Sequence, residues 1–296
     1  MNIGYFDCLI CIGVFAGISV HANAIEVTAE QVSKNESTLT AANQSYGTKS
    51  AIITVRGRDI ASNIKFPVQL SLPPGQSIQL GKIFNNAPES ETKFNIITES
   101  QFGKLGAENA SNIYYRLPFQ DGLTFRISQA FGGAGGTHQS ADSLHAVDFD
   151  MPIGTPVVAA RSGVVVDARY DSDIGGSHDK YLGKENFVSI EHDDGTLANY
   201  AHLSRTKPFV QIGQRVQIGY PLGLSGNTGY STGPHLHFSI TRPAVIKGKL
   251  MQESIPFTFF AHKPPVLFKP RPMIIVTSDY KNEFQGRTVN TKNQSH

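Results

Sequence analysis

Seven of the chain's ten histidines fall between residues 138 and 237. Imidazole is a frequent metal ligand and the side chain best suited to moving protons near neutral pH. Two of the seven, His235 and His237, stand two apart in the segment Pro234–Ile240. That segment reads as a strand, so both rings leave one face, about 6–7 Å apart along the backbone, while Leu236 and Phe238 turn the other way into a core. One ring of such a pair can ligate a metal while the other stands beside the metal's water. Spacing alone fits two histidines on a polar sheet face equally well. Asp148 lies among apolar residues in Ala146-Val147-Asp148-Phe149. A buried carboxylate needs a partner, because burying unpaired charge is expensive, and a cation supplies one. His138 precedes it on a glycine-rich stretch, and His202 sits in Tyr200-Ala201-His202-Leu203. Two histidines and a carboxylate make a three-ligand zinc site, which keeps a fourth position for water and lowers that water's pKa to about 7. Histidines at its rim then take a proton or stabilise an oxyanion.

The elements that must position these residues read as strands throughout. In the first third, Ile64, Phe66, Val68, Leu70 and Leu72 alternate with polar residues, Pro67 marks an edge strand, and Pro73-Pro74-Gly75 turns the chain toward Ile78 and Leu80. Ile52–Val55 and Phe94–Thr98 add two more strands. Further on, 157–160 and 164–166 flank Arg161-Ser162-Gly163 as a hairpin, and 187–191 and 196–203 flank Asp193-Asp194-Gly195 as another. Residues 171–186 read as an exposed loop. Helical periodicity is absent. The expected fold is all-β: a small N-terminal β-sandwich-like domain over residues 50–116, then an antiparallel β domain over residues 117–262.

The ends of the chain read differently. Residues 1–24 resemble a signal peptide, with an apolar run closed by Ala22-Asn23-Ala24, too short to span a bilayer comfortably. Residues 25–49 read as a flexible lead-in and 263–296 as a C-terminal tail. Both cysteines, Cys8 and Cys11, fall in the leader, so the mature chain has neither disulfides nor thiolate ligands, and any metal must rest on histidine and carboxylate. The net charge of +2 with histidines neutral, without a Lys/Arg-rich block, points away from nucleic acid.

Three segments carry a family resemblance: His145-Ala-Val-Asp-Phe-Asp-Met-Pro-Ile-Gly-Thr-Pro-Val157, Asn199-Tyr-Ala-His-Leu203, and Gly226-Asn-Thr-Gly-Tyr-Ser-Thr-Gly-Pro-His-Leu-His-Phe238. With them, residues 117–240 resemble the M23 peptidoglycan metallopeptidases, the lysostaphin and LytM-like enzymes. The resemblance implies that Asp148 and His237 bind zinc and that His202 and His235 are catalytic. It implies a zinc endopeptidase acting on peptide stems or cross-links of bacterial peptidoglycan through attack of a zinc-bound water, secreted or periplasmic, without stable membrane insertion after leader cleavage. The alternative is an inactive M23-like module that binds wall or activates an amidase. The first zinc ligand is open between two residues. Many members place a histidine four residues before the Asp, where this chain has Leu144. His145 is three before, an odd offset that faces away from Asp148 on a strand, so His138 is preferred and His145 is expected to be a core or supporting residue.

The other motifs have plainer readings. His192 sits at a hairpin turn and reads as structural, and His178 as solvated. Residues 132–136, Gly-Gly-Ala-Gly-Gly, lack the Lys-Ser/Thr of a phosphate loop. Ser225 and Ser231 lack a Gly-x-Ser-x-Gly elbow.

Overall fold

The computed structural model describes residues 25–86, 93–132, 136–261 and 266–280. The expected signal peptide, the central glycines of the 132–136 stretch and residues 281–296 of the expected tail lie outside the described residues. Those that are described are almost wholly β-strand, with one 3-10 turn at Asp179–Tyr181. None of their helices is long and apolar enough to cross a membrane. The chain divides into two compact units, one of residues 2–106 with 243–252, the other of residues 107–242 with 253–296.

The first unit holds two antiparallel sheets. One runs in the order Glu26–Ser33, Glu36–Ala42, Ser77–Asn85, Ile60–Ser62; the other runs Val68–Leu72, Lys49–Gly57, Phe94–Phe102. Val27, Ala41, Ala51, Ile53 and Leu72 form its buried core. The strand after Pro67 is an edge strand, as its proline predicts. The lead-in expected at 25–49 is not loose. Its first two strands pair with each other, and Glu36–Ala42 pairs on with Ser77–Asn85. Leu39 and Ala41 are fully buried there among Thr and Glu, so a polar composition conceals a period-2 pattern.

The second unit is built on one long mixed-length sheet. Its order is Arg215–Val216, Gly163–Arg169, Asn186–Glu191, Leu197–Leu203, Leu236–Ile246, Val147–Phe149, Thr124–Gln129, Ile275–Thr277. Val147, Phe149, Tyr200, Leu236, Phe238 and Ile240 are fully buried on one face, where they meet Tyr115, Phe119, Phe257 and Phe259. The rings pack edge to face: Phe238 and Phe257 at 5.3 Å and 89°, Phe119 and Phe149 at 5.5 Å and 73°. Burying each such side chain is worth roughly 1.5–3 kcal/mol. This aromatic layer fixes the alternation of the central strands and so turns their polar residues to the other side.

Two expectations are corrected here. Residues 157–160 and 164–166 do not form a hairpin. Pro156–Val158 pairs with Pro221–Leu224, and Gly163–Arg169 pairs with Asn186–Glu191 and Arg215–Val216. Gly163 marks close strand approach rather than a turn, since a Cβ there would lie 2.3 Å from the Glu191 carbonyl oxygen. The start of the expected tail is also integral. Ile275–Thr277 pairs with Thr124–Arg126, Ser278 is fully buried, and Tyr280 is 4% exposed. The Tyr280 hydroxyl accepts from the Leu117 amide. The hairpin of 187–191 with 197–203 forms as expected.

Candidate metal and catalytic centre

Strand register assembles the site. Gln129 pairs with Asp148, Asp148 with His237, and His237 with Ala201, giving one lateral row across four neighbouring strands. Because paired residues share a face, the Asp148 carboxylate and the His237 ring meet directly: Oδ1 and Nδ1 lie 2.9 Å apart. His138 arrives from the loop, with Nε2 3.1 Å from Oδ2. His235 Nε2 is 3.9 Å from Oδ1.

Two β-bulges flank this row. Ile127 pairs with Phe149 and Gln129 with Asp148, leaving Ser128 as the extra residue. Leu203 pairs with Asn186 and Ala201 with Phe187, leaving His202 as the extra residue. Strict alternation would put Gln129 with buried Ile127, and His202 with buried Tyr200, on the core side. Each bulge shifts the count by one and turns the side chain to the site face. His202 takes φ +63 to do so, a conformation costing about 1–3 kcal/mol for a non-glycine residue. Its ring centroid comes to 4.6 Å from His235 and 5.8 Å from His237.

Hydrogen bonds fix the tautomers. His202 Nδ1 donates to the Thr228 carbonyl at 2.7 Å, and His235 Nδ1 donates to the Gly233 carbonyl at 2.8 Å. In each neutral ring Nε2 is therefore the nitrogen with a lone pair. The Thr228 support is itself held: its hydroxyl donates to the Leu203 carbonyl and accepts from the Asn186 amide. Asn186, fully buried, also ties Ser172 in both directions and reaches the Leu203 carbonyl.

Charge follows from this geometry. Burial alone would raise the Asp148 carboxyl, but hydrogen bonds from His138 and His237 outweigh it and hold the group well below the usual carboxylate range. Burial would lower His237, and Asp148 more than offsets it, so that pKa is raised. His202 is pushed down to about 3, by burial first and then by His235 and His237. It is neutral at physiological pH.

The donor set fits a divalent cation. Among the described residues, Asp148 is 3% exposed, and its ion-pair partners are imidazoles alone. The donor atoms of His138, Asp148 and His237 lie within 4.8 Å of one another, as do those of His202, His235 and His237. The first group contains the carboxylate and is the more buried. His145 lies elsewhere. Its Nδ1 donates to the Ser254 carbonyl at 2.9 Å, and its ring packs on Phe131. His145 precedes the strand, which begins at Val147 after turns at residues 141–145, so its contacts with Ser254, rather than strand alternation, hold the ring away. His192 is 2% exposed and donates to the Ser162 carbonyl. His178 is exposed. Sequence reasoning missed Gln129, Asn186 and Thr228. Thr228 lies inside the Gly226–Phe238 segment, whereas nothing local marks Gln129 or Asn186.

Residues 143–251 match Peptidase family M23. The chain carries an M23 peptidase domain. His138 and Gln129 precede the matched stretch. An uncharacterized metalloprotease of Buchnera aphidicola is 33% identical over 144 residues, 48% of this chain and 35% of that protein. Peptidoglycan DD-endopeptidase ShyA of Vibrio cholerae is 33% identical over 220 residues, 68% of this chain and 45% of its own length. Lysostaphin of Staphylococcus simulans is 43% identical over 94 residues, 32% of this chain and 17% of its own. The chain thus spans less than half the length of each of these relatives.

Proposed function

We propose that this chain is a zinc endopeptidase that hydrolyses peptide bonds in the stems or cross-links of bacterial peptidoglycan, outside the cytoplasm. The observation that carries the reading is the convergence of His138, Asp148, His237, His202 and His235 on one face of the central sheet. The substrate class is supported by relatives that are themselves named for peptidoglycan and glycyl-glycine cleavage.

His138, Asp148 and His237 would hold the metal, and His202 and His235 would do the proton work. Zinc bound there supplies Lewis-acid chemistry, polarising a peptide carbonyl and acidifying water. Neutral His202 accepts a proton at Nε2, and burial then disfavours keeping it, so the proton passes on toward the leaving amine. His235 stands beside His202, ring centroids 4.6 Å apart, with its own Nε2 3.9 Å from Asp148 Oδ1. Between them the two rings cover the general-base and oxyanion roles.

The test uses the purified chain from residue 25. Bound zinc is measured, and peptidoglycan from several wall types is digested with wild type and His202→Ala. Soluble peptide fragments from wild type alone are expected, and their masses name the bond. Zinc-loaded wild type that releases no fragment from any wall overturns the enzyme reading in favour of a binding or amidase-activating module.

A further inference from the structure

We propose that Gln129 is a positioning residue of the metal centre, clamping the Asp148 carboxylate and the loop that carries His138 in one carboxamide, and thereby setting the affinity for zinc. The inference rests on the metal reading above.

The clamp's orientation is determined by its partners. The Thr137 amide can only donate, and it reaches Gln129 Oε1 at 2.8 Å. The carboxylate can only accept, and Gln129 Nε2 donates to Asp148 Oδ2 at 2.9 Å. Nε2 also lies 3.2 Å from Thr137 Oγ1. One side chain therefore ties the residue before His138 to the oxygen that His138 Nε2 itself faces at 3.1 Å.

The loop needs such a tie. Gly132 and Gly136 precede Thr137 in sequence, and glycine loses more conformational freedom on ordering than any other residue. Among the described residues, its start is held by the Gly132 amide on the Leu144 carbonyl. The Gln139 amide bonds back to the Thr137 carbonyl, within the loop. Gln129, turned to the site by the Ser128 bulge, is what joins Thr137 to the sheet. Without it, zinc would have to order the loop and orient the carboxylate as it binds. Removing a partner that orients a ligand typically weakens metal affinity ten- to hundredfold.

The test titrates zinc into the metal-free full chain against a chromophoric chelator. Gln129→Met keeps the shape without hydrogen bonds. Gln129→Asn keeps the carboxamide one methylene short, so that it cannot span both partners. Both are expected to bind zinc ten- to hundredfold more weakly than wild type, with metal-free melting temperatures near wild type and faster hydrogen exchange at the Thr137 amide. A cobalt-substituted spectrum altered in the same variants would carry the same signature at the metal. Either variant, folded and binding zinc within twofold of wild type, overturns the proposal. Wild type that takes up no zinc fails differently: it removes the metal reading beneath it.

Discussion

Asp148 and His237 are direct partners on adjacent strands, and Oδ1 of one lies 2.9 Å from Nδ1 of the other. The contact is a property of the sheet register, so the fold pre-forms it. Asp148 supplies the carboxylate of the His138, Asp148 and His237 group, so a cation bound there draws its anionic charge compensation from this side chain. Asp148→Asn should therefore abolish stabilisation by zinc, and because His138 and His237 hold the ionised carboxyl well below the usual carboxylate range, it should also destabilise the metal-free protein. At zinc a hundredfold above Kd, wild type should gain about 2.7 kcal/mol. Paired thermal melts with and without zinc check this, and an Asn variant that still gains from zinc would contradict it.

The His202 bulge makes a prediction of unusual sign. Glycine for alanine ordinarily weakens a strand, by roughly 0.5–1 kcal/mol. At φ +63 the order reverses, because the left-handed region costs a non-glycine residue about 1–2 kcal/mol. Metal-free His202→Gly should be more stable than metal-free His202→Ala by about 1 kcal/mol in urea unfolding. Both should retain zinc and lose peptidoglycan hydrolysis. Equal stability of the two would mean that the backbone relaxes out of the bulge when the ring is gone.

What was legible in the sequence, and what was not, divides along the same line. The shared face of His235 and His237 follows from an i, i+2 offset, and the buried Leu236 and Phe238 follow with it. The hairpin about Asp193-Asp194-Gly195 is local and was readable. The two bulges depend on partners distant in the chain, and a shift of one residue reverses facing. Gln129 and His202 therefore stand where alternation would not put them. The false hairpin at 157–166 has the same origin, since Pro221–Leu224 and Asn186–Glu191 capture its two arms. Ser278 and Tyr280 gave no local signal either: their partners are distant in the chain, among them Arg116, whose guanidinium reaches Ser278 Oγ at 3.3 Å and stacks 4.4 Å from the Tyr280 ring.

His192 should make the fold acid-sensitive. Its pKa is pushed down to about 3, by burial first and then by Arg161, with Asp194 and Asp193 opposing. The unfolded ring takes its proton near 6.5, so between those values the unfolded chain holds more protons than the folded one. Stability present above pH 6.5 is then lost as pH falls toward 3. At about 1.4 kcal/mol per unit, this ring accounts for up to roughly 4 kcal/mol of that loss. His202 contributes with the same sign, so the informative quantity is the difference made by His192→Gln. Urea unfolding from pH 7 to pH 4 should give a shallower decline for the variant, and parallel curves would show that His192 does not titrate with folding.

Gly175 should matter to catalysis from a distance. Gly175 and Gly176 lie parallel to Gly229 and Tyr230, and a Cβ at Gly175 would stand 2.0 Å from the Asn227 carbonyl oxygen. The neighbouring residue, Thr228, is the one whose carbonyl holds His202. Alanine at 175 must push this segment away, at a cost of about 1–3 kcal/mol for overpacking, and it loosens the acceptor that fixes the His202 tautomer. Gly183→Ala is the control: Gly183 has φ +68 with nothing within 4 Å of an added Cβ, so it carries backbone strain of about 1–2 kcal/mol but no clash. The expected outcome is comparable destabilisation in the two variants, full zinc occupancy in both, and a more than tenfold drop in turnover for Gly175→Ala alone. If both lose turnover equally, the effect is global stability, and the route from Gly175 through Thr228 to His202 is wrong.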